Sequence, residues 1–151
     1  MIFAALFLLA QAPDAVPECA DPTTQGEMNA CAKQEFDRVD AELNAVWKKV
    51  RGWAKNADAK LDRGDGQSGY AESLLAAQRA WLTYRDTHCR LVSFDARGGS
   101  MQPLLINNCL AELTENRTAE LRELLVNQVS GEPKTLPETC LLYTSPSPRD
   151  S

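Results

Sequence analysis

The sequence has little of what metal sites and enzyme active sites need. It contains a single histidine, His88, and its five cysteines include no CxxC pair, so the common zinc ligand sets are missing. No serine lies in a GxSxG motif, and no glycine-rich segment ends in the lysine of a phosphate-binding loop. We therefore expect no metal and no cofactor, and we expect that the protein is not an enzyme.

An excess of basic residues is also lacking. Sixteen Lys and Arg residues stand against 21 Asp and Glu, which gives a net charge of -5 and an isoelectric point near 4.9. Because binding to nucleic acid depends on cations that displace counterions from phosphates, this composition argues against nucleic acid as a partner. An acidic chain instead favours basic partners.

The apolar run at the N-terminus is too short to cross a membrane. Residues Met1 to Ala10 are all apolar, whereas a membrane-spanning helix needs about 20 such residues. The run has the length of a signal-peptide core and is followed by small residues that suit cleavage. We interpret residues 1–15 as a signal peptide, with a buried N-terminal helix as the alternative. The mature chain is then periplasmic or secreted and has no integral membrane segment.

The other end of the chain has neither helical nor strand periodicity. We expect a disordered tail over residues 129–151, and we interpret residues 141–151 as translated adapter sequence rather than native chain. Cys140 lies at the junction with that segment, so four cysteines remain for a disulfide framework, as is usual in exported proteins. They are Cys19, Cys31, Cys89 and Cys109. Four cysteines permit three pairings, and the residues alone do not choose among them.

No segment alternates apolar and polar residues for long enough to predict a strand, but three segments have helical periodicity. The first helix begins after Thr24, whose spacing from Glu27 is that of a capping box, and gives way to a loop from Asn56. The second follows from Tyr70, and the third covers residues 103–128. We predict an all-α domain over residues 19–128, a small antiparallel helical hairpin or three-helix bundle stabilised by two disulfides.

The predicted second helix is dense in large side chains. Its expected core stripe consists of Tyr70, Leu74, Ala77, Trp81, Tyr84 and Leu91, which follow one another at helical spacing, and it is flanked by Leu75, Leu82 and Cys89. In one interpretation Trp81 and Tyr84 fill the core, while Arg85 and Asp86 pair with charged groups on neighbouring helices, at Asp40 or Glu120. In the other, the aromatic and arginine side chains form a binding hot spot. We interpret His88 as structural rather than as a general base.

Several spaced motifs occur in order over residues 19–124. They are Cys19, Met28-Asn29-x-Cys31, Asp40-x-x-Leu43-Asn44, Gln78-Arg79-x-Trp81-x-x-Tyr84-Arg85-Asp86-x-x-Cys89, Gly98-Gly99-Ser100, Cys109, Leu113-Thr114 and Arg117. This order resembles the LprI-like lysozyme inhibitor family of bacterial envelope proteins. The resemblance implies an exported helical domain with disulfides Cys19–Cys31 and Cys89–Cys109. It also implies inhibition of lysozyme. We expect structural or partner-binding roles for Arg79, Trp81, Tyr84, Arg85, Asp86, Gly98, Gly99, Ser100 and Arg117.

Two functions from different classes are open at this point. The first is binding and inhibition of c-type lysozyme, whose basic surface would meet the acidic surface of this chain, with the turn from Arg97 to Ser100 as a further contact. The second is a periplasmic structural or interaction module that binds an unknown envelope partner and has no lysozyme activity. Both functions have a protein as the partner, and neither needs a cofactor.

Overall fold

A computed structural model describes residues 19–61 and 66–130, with side chains up to residue 126. In this part of the chain there are three α-helices and no strand, which confirms the all-α prediction. They are α1 (Gln25–Asp58), α2 (Tyr70–Val92) and α3 (Gln102–Ser130), and a short 3₁₀ helix, Phe94–Ala96, lies between α2 and α3. The expected signal peptide, the segment from residue 131 onward and Cys140 lie outside the described residues.

Helix α1 begins with the predicted capping box. The hydroxyl of Thr24 accepts the backbone N–H of Glu27 at 3.2 Å, and the Glu27 carboxylate accepts the backbone N–H of Thr24 at 2.9 Å. The helix continues to Asp58, past Asn56, where the sequence predicted a loop. Its buried face comprises Ala32, Val39, Leu43, Val46, Val50 and Ala54.

The hydrophobic core lies in the half of the bundle nearest the α1–α2 connection. Its buried members are Leu43, Val46, Val50, Ala54, Leu74 and Leu121, and three tryptophans, Trp47, Trp53 and Trp81, pack against it. Helices α1 and α3 form the most extensively packed pair. The α3 residues that face inward are small or polar, namely Ala111, Thr114 and Thr118, with Leu121. Small side chains let the two helix backbones approach closely.

The core stripe predicted for α2 was largely wrong. Tyr84 is 53% exposed and Leu91 60% exposed, and Tyr70 and Ala77 are exposed as well. The buried residues of α2 are Leu74, Gln78, Arg85 and Cys89, which step by four, seven and four residues along one face. This face is buried although it is polar, because α1 and α3 present hydrogen-bonding partners to it. On α3, Leu124 is also 37% exposed.

Both disulfides have the expected pairing and hold one end of the bundle. Cys19 is bonded to Cys31, and Cys89 to Cys109. At the same end, the side-chain amide of Asn29 donates to the carbonyl of Ser100 at 2.9 Å. The start of α1 is thereby tied to the turn between α2 and α3.

At the opposite end, the last residue of α1 caps the start of α2. Gly69 precedes α2 and has no side chain to cap it. The carboxylate of Asp58, the last residue of α1, takes that role by accepting the backbone N–H groups of Tyr70 at 2.6 Å and Ala71 at 3.1 Å. A carboxylate there also interacts favourably with the helix dipole.

Candidate functional site

The side chain of Arg85 links all three helices. It is 9% exposed, and its Nη1 donates to Asp40 Oδ1 of α1 at 3.3 Å and to Thr114 Oγ1 of α3 at 3.2 Å. Its Nε donates to Asp86 Oδ1 at 2.9 Å. The sequence suggested Asp40 as a partner, and the structure has that pair. Asp86, which was expected to reach a neighbouring helix, pairs with Arg85 of its own helix.

Two arginines lie near the indole ring of Trp81. The guanidinium carbon of Arg85 is 5.1 Å from the ring centroid, and that of Arg117 is 5.9 Å away. The guanidinium of Arg85 also lies 5.4 Å from the centroid of the Phe36 ring. Cations at these distances from an aromatic face are attracted by the quadrupole of the ring. The ring of Trp81 therefore contributes to both arginine positions.

Arg117 of α3 forms hydrogen bonds both to α2 and to its own helix. Its Nε donates to the amide oxygen of Gln78 at 3.0 Å, and its Nη1 donates to Glu120 at 2.7 Å. Glu120 was the other partner that the sequence suggested for the α2 charges, but it pairs with Arg117 on its own helix. Among the described residues no buried side-chain nitrogen or oxygen lacks a hydrogen-bond partner. We call Asp40, Gln78, Trp81, Arg85, Asp86, Thr114, Arg117 and Glu120 the arginine network.

The arginine network carries excess negative charge at its rim. One guanidinium, that of Arg85, serves two carboxylates, and the side chains of Asp40 and Asp86 remain 37% and 54% exposed. The pair of Arg117 with Glu120 is neutral. A basic group outside the protein can therefore approach Asp40 and Asp86 without displacing Arg85. We call these two residues the acidic rim.

Other residues singled out from the sequence lie outside the network. The ring of Tyr84 stacks on that of His88 with the centroids 5.2 Å apart, and Arg79 is exposed. Gly98, Gly99 and Ser100 form the exposed turn between α2 and α3. Gly98 has a φ of +77° and donates its N–H to the Gln102 side chain at 3.0 Å. The backbone there adopts a left-handed conformation that favours glycine.

A group of ion pairs joins α1 to α3 on the outer surface. Arg38 contacts Glu35 at 2.6 Å, Glu42 at 3.6 Å and Glu115 at 3.4 Å, and Arg122 pairs with Glu42. The hydrogen bond from Arg38 lowers the pKa of Glu35, and the one from Arg122 lowers the pKa of Glu42. All these side chains are 40% exposed or more, so each pair adds little to stability. Their charges largely cancel on this surface.

A cleft that the sequence did not predict lies near the α1–α2 connection. It has a volume of about 610 Å³, and its lining includes Trp53, Tyr70, Leu74, Arg117 and Leu124. Concave, mainly apolar surfaces with a few polar groups are typical of binding sites. The cleft and the arginine network share Arg117.

The described residues contain neither a membrane-spanning helix nor a cluster of metal ligands. None of their helices is long and apolar enough to cross a membrane. They also contain no group of three or more His, Cys, Asp or Glu side chains placed to hold a metal ion.

Comparison with known proteins assigns the family. The family model for the lysozyme inhibitor LprI matches residues 19–121, a range that contains both disulfides and the whole arginine network. An uncharacterized protein of Rhizobium meliloti (strain 1021) is 47% identical over 119 residues, which cover 77% of this chain and 83% of the relative. No solved structure matches the chain significantly. The chain belongs to the LprI family of lysozyme inhibitors.

Proposed function

We propose that this protein is exported to the bacterial envelope and there binds and inhibits c-type lysozyme. The observation that carries the proposal is the match of the lysozyme inhibitor family over residues 19–121. The disulfides support export, because structural disulfides form in oxidising compartments. Inhibition of this kind requires a rigid binding surface rather than catalytic groups.

The acidic rim is the surface that we propose for contact with lysozyme. Asp40 and Asp86 share one guanidinium, and their side chains remain 37% and 54% exposed, although Asp40 Oδ2 also accepts the side-chain amide of Asn44 at 2.9 Å. A lysine or arginine of the basic enzyme would gain a carboxylate partner there. The buried Arg85 holds both carboxylates in place before binding, which reduces the entropy lost on association. We retain the exposed turn from Arg97 to Ser100 as a second proposed contact.

A cell-wall lysis assay tests the function, and charge reversal tests the surface. We expect the native protein to slow lysis by c-type lysozyme, and Asp86→Lys to weaken the inhibition by roughly 10-fold or more. The matched control is Glu72→Lys, which reverses an exposed charge on the same helix about 21 Å along its axis from Asp86. If both variants inhibit as well as the native protein, the acidic rim is not the contact. If the native protein leaves lysis unchanged, the proposed function fails.

The cleft favours a second candidate function, that of an interaction module with an envelope partner and no effect on lysozyme. Its aromatic and aliphatic lining, with Trp53, Tyr70 and Leu124, resembles the centres of protein interfaces. Affinity capture from the periplasm with native protein and with Leu124→Glu would separate the candidates. A partner that is lost with Leu124→Glu, together with an inert lysis assay, would favour the second function.

A further inference from the structure

The charges of α1 are segregated along its length. Residues 43–57 include four cations, Lys48, Lys49, Arg51 and Lys55, and no Asp or Glu. In a chain with a net charge of -5, this is a local concentration of positive charge. The earlier part of the same helix mixes both signs, as the pairs of Lys33 with Asp37 and Arg38 with Glu35 show.

Three of these cations lie on one face and surround a notch. Lys48, Arg51 and Lys55 are separated by three and four residues, which places them together on the helix surface. With Gly52 they line a depression of about 240 Å³. We call these four residues the basic face. A Cβ atom added to Gly52 would have no heavy atom within 4 Å, so the floor of the notch is open helix backbone.

The basic face points away from the bundle. The buried residues of this part of α1 are Val46, Val50 and Ala54, which lie on the opposite side of the helix. Lys48, Arg51, Gly52 and Lys55 are all exposed. Nothing in the packing of the described helices occupies this surface.

Stability does not explain the arrangement. Within the described residues, neither Lys48 nor Arg51 nor Lys55 forms an ion pair, in contrast to Lys33 and Arg38. Cations three or four residues apart on a helix repel each other and destabilise it slightly. A glycine in the middle of an exposed helix face adds a further cost of roughly 0.5–1 kcal/mol relative to alanine. An anionic ligand would relieve the repulsion and fill the notch.

We propose that the basic face binds the phosphate headgroups of an anionic phospholipid surface. Phosphate oxygens accept hydrogen bonds from the ammonium groups of Lys48 and Lys55 and from the planar guanidinium of Arg51. Together with the neighbouring Lys49, the three cations of the basic face make four within eight residues, which is the lower limit of the Lys and Arg clusters by which amphipathic helices bind anionic lipids.

The shape and charge of the molecule favour a planar lipid surface over nucleic acid. Lys48 and Lys55 lie about 10 Å apart along the helix axis, and small residues such as Ala45 and Gly52 lie beside them. A plane meets this one face only, whereas a long flexible polyanion would also meet the acidic remainder of the protein. Binding is therefore peripheral and sensitive to salt.

Sedimentation with lipid vesicles tests this proposal independently of lysozyme. The full chain, with both disulfides formed, is mixed at low salt with phosphatidylglycerol vesicles or with phosphatidylcholine vesicles. We expect the protein to bind the phosphatidylglycerol vesicles and not the phosphatidylcholine vesicles. Binding to phosphatidylglycerol should be lost in 0.5 M NaCl. In the double variant Lys48→Gln/Lys55→Gln the partition coefficient should fall by roughly 30-fold.

The control double variant Lys33→Gln/Arg90→Gln has the same net charge and removes exposed cations outside the basic face. It should bind anionic vesicles to within about twofold of the native protein. The variant Gly52→Glu, which places a carboxylate in the notch, should lose binding while circular dichroism shows an intact helix. Equal losses in the two double variants, equal binding to both vesicle types, or no binding by the native protein would each overturn the proposal.

Discussion

Gly69 and Asp58 approach each other so closely that a side chain at position 69 would have to displace the Asp58 carboxylate. A Cβ atom added to Gly69 would lie 2.5 Å from Oδ1 of Asp58 and 2.9 Å from its Cγ. The φ of Gly69 is -73°, a value open to any residue, so the requirement is for space rather than for backbone freedom. The close approach lets the last side chain of α1 reach the first N–H groups of α2.

Replacement of Gly69 by alanine should therefore destabilise the protein through Asp58. We expect Gly69→Ala to lower the free energy of unfolding by about 1–3 kcal/mol, as overpacking does elsewhere, and Asp58→Ala to lower it by about 1 kcal/mol through loss of the cap. The double variant should be less destabilised than the sum of the two changes, because removal of the carboxylate removes the clash. Urea denaturation gives the three values, and simple additivity would contradict this explanation.

The arginine network should depend on the shape of the Arg85 guanidinium as well as on its charge. Arg85→Lys keeps the charge, but an ammonium group cannot serve Asp40, Asp86 and Thr114 in the same planar geometry. We expect it to lower the free energy of unfolding by about 2 kcal/mol, the value of two lost charge-assisted hydrogen bonds after partial replacement by water. Arg79→Lys, at an exposed position of the same helix, should change it by less than about 0.5 kcal/mol. Equal effects would mean that the buried network adds no stability.

Gly52 and Gly98 should respond in opposite directions to replacement by alanine. Gly52 lies inside α1 with open space around it, so Gly52→Ala should raise the free energy of unfolding by roughly 0.5–1 kcal/mol. Gly98 has a φ of +77°, which strains any residue with a Cβ, so Gly98→Ala should lower it by about 1 kcal/mol. Chemical denaturation of both variants checks the pair. A destabilised Gly52→Ala protein would show that the helix face has a contact that the structure lacks.

Acid should weaken the start of α1 through Glu27. Hydrogen bonds from the backbone N–H groups of Thr24 and Thr23 lower the pKa of Glu27 below its ordinary value of 4.5. Because the pKa is lower in the folded state, the carboxylate contributes stability above pH 4.5, and this stability is lost as the pH falls through the folded-state pKa. Glu27→Gln should lower the melting temperature at pH 7 and reduce its dependence on pH below 4.5.

The control for Glu27 is Glu112→Gln, which removes an exposed α3 carboxylate that accepts no hydrogen bond from the described residues. Its melting curve should follow that of the native protein from pH 7 to pH 3. A Glu27→Gln protein with an unchanged dependence on pH would show that the capping box is not formed in solution.

The sequence was sufficient to predict α1 because two independent signals agree there. The spacing of Thr24 and Glu27 located its start, and apolar residues at steps of three and four defined its buried face. The disulfide pairing was not determined by spacing, and it came from the resemblance to a family. The end of α1 was misplaced because Asp58 is a residue type common in loops. In the structure it is the last residue of α1, and its carboxylate caps the next helix.

Helix α2 could not be predicted in the same way, because its buried stripe is polar. Hydrophobicity placed Tyr84 and Leu91 in the core stripe and did not include Gln78, whereas in the structure Tyr84 and Leu91 are exposed and Gln78 is buried. The burial of Gln78 depends on Arg117, and that of Arg85 on Asp40 and Thr114. These partners are 29 to 45 residues away in sequence, so the local hydrophobic pattern does not predict the burial, although Asp40 was suggested as a partner of Arg85. The acidic rim depends on the same packing, so the sequence did not predict it as a surface.

The most direct measurement is the initial rate of cell-wall lysis by c-type lysozyme, titrated with native protein whose two disulfides have been verified by mass spectrometry. If the protein inhibits lysozyme, the lysis rate should fall with each addition of native protein and then level off. Half-inhibition should need a higher concentration of the Asp86→Lys variant than of the Glu72→Lys variant. A lysis rate that stays unchanged at a tenfold molar excess of the folded protein would contradict the proposed function.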